Sequence, residues 1–198
     1  MDTSKKTKAV RIVIFTLVVI GIVLLMRMVA GGAKESAKYD TLSQCLVEKG
    51  ISFYGAFWCP HCQAQERSLQ ASRQKLESMG LYKECSTPDG SGQLATCVDK
   101  KIQSYPTWVY QNGFAYESAA DPIVCAIQPG PAEQPAQCAS YGSTLFKTWI
   151  FPDVKVQSAT EPAHSGSTWT FGPDTRTNGE IPPETLSKLS SCALPAGE

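Results

Sequence analysis

Two cysteines separated by two residues, Cys59-Pro60-His61-Cys62, are the pattern in this chain best suited to chemistry. They follow residues 51–57, a run rich in β-formers, and open residues 63–79, a run free of Gly and Pro that predicts a helix ending at Gly80. A Cys-x-x-Cys pair at a strand-to-helix junction suits thiol–disulfide exchange. The spacing lets both sulfurs meet at the first helical turn, where unpaired N–H groups and the helix dipole favour a thiolate. Pro60 fits that turn because it needs no N–H partner. His61, when protonated or donating, adds to the thiolate's stability. Stabilising the thiolate stabilises the reduced form, which makes the disulfide more oxidising. The expected roles are Cys59 as the exchanging sulfur and Cys62 as the sulfur that resolves a mixed disulfide. A structural disulfide in a turn and one half of a zinc site are the competing readings. No second Cys-x-x-Cys or His pair completes a zinc site, so we expect neither metal nor cofactor.

The elements that would hold this pair can be read on either side of it. Residues 39–49 carry Leu42, Leu46 and Val47 on a helical spacing, with Gly50 just past the end. Residues 81–85 predict a short strand, 87–92 a turn, 93–102 a short helix and 105–110 a strand closed by Asn112-Gly113. Residues 119–143 are rich in Ala, Pro and Gln and give no clear pattern. Residues 148–157 and 168–171 predict strands, and 182–191 predicts a last helix with Pro in its first turn. Thr-Trp recurs at Thr107, Thr148 and Thr168, which we read as shared strand composition rather than a repeat. This order predicts the α/β class, with a mixed central sheet flanked by helices.

Charge and hydropathy divide the chain. From Ile12 to Met26 there is no charged residue. About twenty apolar residues cross a bilayer, so 10–29 is expected to be a transmembrane anchor. Arg11 and Arg27 can snorkel at its ends, and the Lys-bearing tail 1–9 would stay in the cytoplasm. Residues 30–38 form a small, polar linker. The expected result is a single-pass membrane protein with its main domain, 39–192, outside the cytoplasm and a short tail at 193–198. The alternative is secretion after cleavage of a signal peptide near Ala30-Gly31-Gly32-Ala33. Beyond residue 29 the chain has a net charge of −4, which argues against a nucleic-acid partner. No coiled-coil seam is visible, so a monomer is expected.

The segment FYGAFWCPHC, followed by helices and Ser104-Tyr105-Pro106-Thr107, resembles the thioredoxin superfamily. The resemblance implies a thioredoxin-like fold in which Pro106 is a cis-proline facing the Cys-x-x-Cys. Tyr105 and Trp58 would then contact substrate. Residues 53–65, 82–86, 102–108 and 178–192 are similar to thioredoxin-like domains fused to, or partnered with, bacterial vitamin K epoxide reductase homologues. The Cys-Pro-His-Cys sequence is also DsbA-like. These likenesses imply exchange with exported cysteine-containing proteins and reoxidation by a vitamin K epoxide reductase-like or DsbB-like membrane partner. Two departures stand out. Phe53 occupies the position, six before the first cysteine, where many thioredoxins carry a buried acid. Glu66 could replace that acid but reads as a solvated helix residue. About fifty extra residues, roughly 111–167, follow the expected cis-proline strand. They are either a lid or binding loop or a surface elaboration, and Trp149 and Phe151 read as their small core.

Six further cysteines in an exported domain suggest disulfides. Locality and the resemblance together pair Cys85 with Cys97, Cys125 with Cys138 and Cys45 with Cys192. A rival reading makes Cys85 and Cys97 a second redox pair. Four functions remain in competition: a disulfide-donating oxidase, a reductase or isomerase, a non-enzymatic binding module stapled by disulfides, and metal delivery.

Overall fold

The computed structural model describes residues 15–22, 38–125, 138 and 145–195. The chain divides into two units, Met1–Lys38 and Tyr39–Glu198. In the first, residues 15–22 are helical (α1), and Phe15, Leu17 and Ile20 are exposed. No helix among the described residues is long and apolar enough to cross a membrane. The remainder of the expected anchor 10–29, the tail 1–9 and residues 30–37 of the linker lie outside the described residues.

The second unit is built on a mixed sheet. Strand β1 (Ile51–Gly55) is buried along its whole length. It pairs in parallel with β2 (Tyr82–Glu84) and antiparallel with β3 (Thr107–Tyr110). Beyond β3 the order continues through β10 (Thr175–Asn178), β7 (Lys155–Ser158), β6 (Lys147–Ile150) and β5 (Ile123–Cys125). A second, three-stranded sheet has the order β4 (Phe114–Glu117), β9 (Thr168–Phe171), β8 (Ala163–Ser165).

Residues opposite one another in a ladder share a face, so the register sorts the core. Phe53 lies opposite Trp108 and Tyr82, and all three are buried in the larger cluster. Leu42 and Leu46 of helix α2 (Asp40–Glu48), Cys62 of α3 (Pro60–Ser68), Leu76 of α4 (Arg73–Ser78) and Leu186 of α6 (Pro183–Ser190) join that cluster. Tyr54 and Val109 alternate to the other face and meet Cys85, Ile102 and Cys97 of α5 (Ala95–Asp99).

The structure revises three sequence expectations. The single helix over 63–79 is two, because Gln70 takes a left-handed conformation (φ 51) and the Ser72 side chain caps a new start by accepting from Lys75 N. The run 148–157 is a hairpin, β6 and β7, folding back where Pro152 and Asp153 interrupt it. The insert is no separate appendage. Its strands β5, β6 and β7 extend the main sheet past β10, and Trp149 and Phe151 belong to the main core beside Phe171.

Candidate functional site

At the end of β1 the chain leaves the sheet through Gly55 and Ala56, and Cys59 becomes the N-cap of α3 with an extended backbone. Its carbonyl accepts from Gln63 N, and its N–H donates to Ala56 O. Pro60 occupies the first helical turn, where its missing N–H leaves no gap in the ladder. Cys59 and Cys62 are both free thiols, and both are buried. Cys59 lies close enough to act on the Cys62 thiol. Burial pushes the Cys62 thiol far above the ordinary thiol range. A backbone hydrogen bond with Ala56 opposes that shift, and neighbouring Cys59 and Glu66 add to it.

The other predicted site residues gather around Cys59. The Tyr105–Pro106 peptide bond is cis, and Tyr105 O lies 3.7 Å from Cys59 Sγ. Trp58 is exposed and meets the Tyr105 ring edge-on with centroids 6.0 Å apart. The Trp58 indole N–H donates to Ser86 Oγ at 2.9 Å, and Gln93 Nε2 donates to Tyr105 Oη at 2.7 Å. Gly90, at φ +74, lets the 87–92 turn close on Trp58; a Cβ there would sit 3.7 Å from the indole. The Cys85–Cys97 bridge clamps the base of this turn. That bridge is buried in the cluster on the other sheet face from Cys62, so it offers no exposed sulfur for a second exchange. Cys45 is bonded to Cys192, and Cys125 to Cys138. Cys59 and Cys62 are thus the two of eight cysteines left as thiols.

Four polar residues that sequence reasoning passed over complete the site. Glu180 Oε1 lies 2.7 Å from His61 Nδ1, an ion pair when the imidazole is protonated. Gln65, fully buried, accepts from Ile181 N at 2.7 Å and donates to Ile181 O at 2.9 Å, which docks the segment carrying Glu180 on α3. Glu84 Oε1 accepts from Phe57 N, Cys85 N and Ser86 N, and Glu84 Oε2 accepts from Tyr82 Oη. Asn178 Oδ1 lies 2.7 Å from Thr107 Oγ1 and 3.2 Å from Ser104 Oγ, tying β10 to the cis-proline loop. Glu84 and Cys85 are adjacent in sequence, the one local hint available. Glu180 stands 119 residues from His61, and no local pattern links them.

Glu66, expected to be solvated, is only partly so: it is half-buried. Its Oε1 is buried and has no hydrogen-bond partner among the described residues. Burial raises its carboxyl above the ordinary range; Arg73 opposes this, Glu84 adds to it, and Arg67 and Glu77 act more weakly in opposite senses. Among the described residues, no group of three or more His, Cys, Asp or Glu side chains is placed to hold a metal ion.

No family model matches the chain. Over 72 residues it is 36% identical to the thiol-disulfide oxidoreductase LTO1 of Arabidopsis thaliana. The match covers 34% of this chain and 18% of that protein, so the chain spans less than a fifth of its relative's length. A partial relative is thus a named thiol–disulfide oxidoreductase, and a buried pair of free cysteines at a helix start fits a protein of that redox class.

Proposed function

We propose that this chain is a thiol–disulfide oxidoreductase of thioredoxin-like build that donates disulfides to exported proteins through Cys59 and Cys62. The observation that carries the reading is the arrangement of sulfur. Six cysteines are locked in bridges, and the remaining two stand as thiols at the N-terminus of α3, with Cys59 facing the Tyr105 carbonyl beside a cis-proline.

In the oxidised protein, a substrate thiolate attacks Cys59 Sγ. The Cys59–Cys62 bond breaks and Cys62 leaves with the electron pair. A second substrate thiolate then attacks the mixed disulfide and releases Cys59 as a thiolate. The substrate loses two electrons and gains a disulfide, and the protein gains those electrons as two thiols. The N–H groups at the start of α3 stabilise the departing Cys59 thiolate. Tyr105, through its carbonyl, and Trp58, packed edge-on against the Tyr105 ring, flank this sulfur and are placed to contact the substrate. A membrane partner, vitamin K epoxide reductase-like or DsbB-like, takes the electrons back, and a membrane anchor at 10–29 keeps the domain close to it.

A reductase is the second reading, favoured by Glu66, which supplies an acid near Cys62 despite Phe53. One measurement separates the two: the reduction potential of Cys59–Cys62 against glutathione, with Cys59→Ser as control. The expected value lies above (more oxidising than) the roughly −270 mV of thioredoxin. A value at or below it would favour the reductase, and no exchange at all would rule out both.

A further inference from the structure

We infer that Gln157, on a strand of the insert, is a positioning residue for disulfide exchange: it orients Asn178, which holds the cis-proline loop against Cys59. The inference rests on the proposed redox role of the pair and gives the insert a part in it.

Register puts the residues concerned on one face of the main sheet. Thr148 of β6 lies opposite Gln157 of β7, Gln157 opposite Arg176 of β10, and Asn178 of β10 opposite Thr107 of β3. Opposite residues share a face, and so do residues two apart on one strand. Thr148, Gln157, Arg176, Asn178 and Thr107 therefore form a polar row that runs from the insert to the start of β3. Thr148, Arg176 and Thr107 are buried, and buried polar groups cost free energy unless they are bonded. Arg176 bonds out of the row, donating to the carbonyls of Lys100 and Lys101. The others bond along it. Gln157 Nε2 donates to Thr148 Oγ1 at 3.4 Å, and Gln157 Oε1 accepts from Asn178 Nδ2 at 2.7 Å. Asn178 Oδ1 accepts from Ser104 Oγ at 3.2 Å and lies 2.7 Å from Thr107 Oγ1.

That last step reaches the loop that faces the reacting sulfur. Ser104 and Thr107 flank the cis Tyr105–Pro106 bond, and Tyr105 O lies 3.7 Å from Cys59 Sγ. Gly179 N also donates to Pro106 O at 2.9 Å, so the end of β10 holds the loop through both side chain and backbone. The Tyr105 ring has separate support, from Gln93 at its hydroxyl and Trp58 at its edge. A side-chain amide has a donor end and an acceptor end. Gln157 Oε1 turns the nitrogen of Asn178 toward the insert and so leaves its oxygen toward the loop. Without that acceptor the insert no longer fixes which end of the amide faces the loop.

The effect falls on substrate docking rather than on the sulfur. Any thiolate that attacks Cys59 Sγ displaces Cys62, which leaves with the electron pair. A peptide must also fit its backbone beside Tyr105, whereas a small thiol needs only the sulfur. An error in position on the order of 1 Å can cost about 10²-fold in rate.

The test mixes the oxidised full chain with excess thiol and follows the mixed disulfide at Cys59 by acid quench and mass spectrometry. Two thiols are compared, an unstructured peptide with one central cysteine and mercaptoethanol. For Gln157→Ala the second-order rate constant with the peptide should fall roughly 3–10-fold, the equivalent of one hydrogen bond. The fall should come through a higher half-saturating concentration rather than a lower limiting rate. The rate with mercaptoethanol should match wild type, which also reports that the variant is folded. Gln157→Glu keeps an oxygen for Asn178 Nδ2 and should restore the peptide rate. Asn178→Ala should also slow the peptide, and adding Gln157→Ala to it should slow it no further, because both act through one amide. An unchanged peptide rate in Gln157→Ala, equal slowing with both thiols, no rescue by Gln157→Glu, or additive effects in the double variant would each overturn the assignment while leaving the redox role intact. A wild-type chain that exchanges with neither thiol would instead remove the redox role, and this inference with it.

Discussion

At the scale of single residues, the site depends on one missing side chain and one inconvenient one. Gly55 has no Cβ where Cys62 Sγ and the Tyr82 ring converge; an added carbon would stand 2.8 Å from Tyr82 Cε2. Gly55→Ala must therefore displace Cys62 or Tyr82. We expect a loss of about 1–3 kcal/mol, the usual range for overpacking, in urea unfolding, together with slower resolution by Cys62. Glu66 predicts the opposite effect on stability. Its carboxyl titrates higher in the folded chain than the ~4.3 of an unfolded glutamate. The folded state thus holds this proton more tightly. That contribution is complete below the unfolded value and is lost as pH rises through the folded one. Glu66→Gln mimics the protonated form. It should be more stable than wild type at neutral pH, with the difference closing below about pH 4. A variant less stable at neutral pH would show that the carboxylate, rather than the acid, is what the fold accommodates. A residue that weakens the fold yet sits beside the reacting sulfur fits the common trade between stability and activity.

At the scale of elements, α3 is held by its partners more than by its own sequence. It runs for only nine residues and buries Cys62 and Gln65. Gln65 bonds both backbone groups of Ile181. Gln65→Leu would leave that N–H and carbonyl buried and unpaired, with an expected loss of about 1–3 kcal/mol. Glu180 should also lose its position at His61, which the His61 ring chemical shifts in an NMR spectrum would register. Much around the pair could be read in the sequence. β1, α2 and α6 lie close to their predicted bounds, because a continuous apolar run and two apolar stripes have strong periodicity. Other elements could not be read. β10 is Thr-Arg-Thr-Asn, a polar string on its face, yet it lies at the middle of the sheet with Thr175 and Thr177 fully buried. Its place is set by pairing with β3 and β7, which are far away in sequence. The break between α3 and α4 is hidden because Gln70 and the residues around it are good helix formers, and only Ser72 marks the cap. Cys59 and Cys62 were legible from spacing, whereas Gln65, Glu84 and Glu180 act through contacts that no spacing reveals.

At the scale of the whole molecule, the insert and the site share one sheet. Asn178 bonds toward the cis-proline loop through Thr107 and donates to Gln157 of β7 at 2.7 Å on its other side. Removing β5–β7 would expose β10 as an open edge, a template for aggregation. We expect a chain lacking residues 123–158 to self-associate on size-exclusion chromatography, where an independent lid could be lost without consequence. The Cys45–Cys192 bridge joins positions 147 apart. In the chain-entropy model a loop this long contributes about 4–5 kcal/mol, so Cys45→Ser with Cys192→Ser should lower the unfolding free energy measured in urea by a matching amount. The same bridge turns the domain into a closed covalent ring. A protease that cuts once between Cys45 and Cys192 opens the ring without dividing it, and the two pieces should migrate together on a gel until a reductant is added.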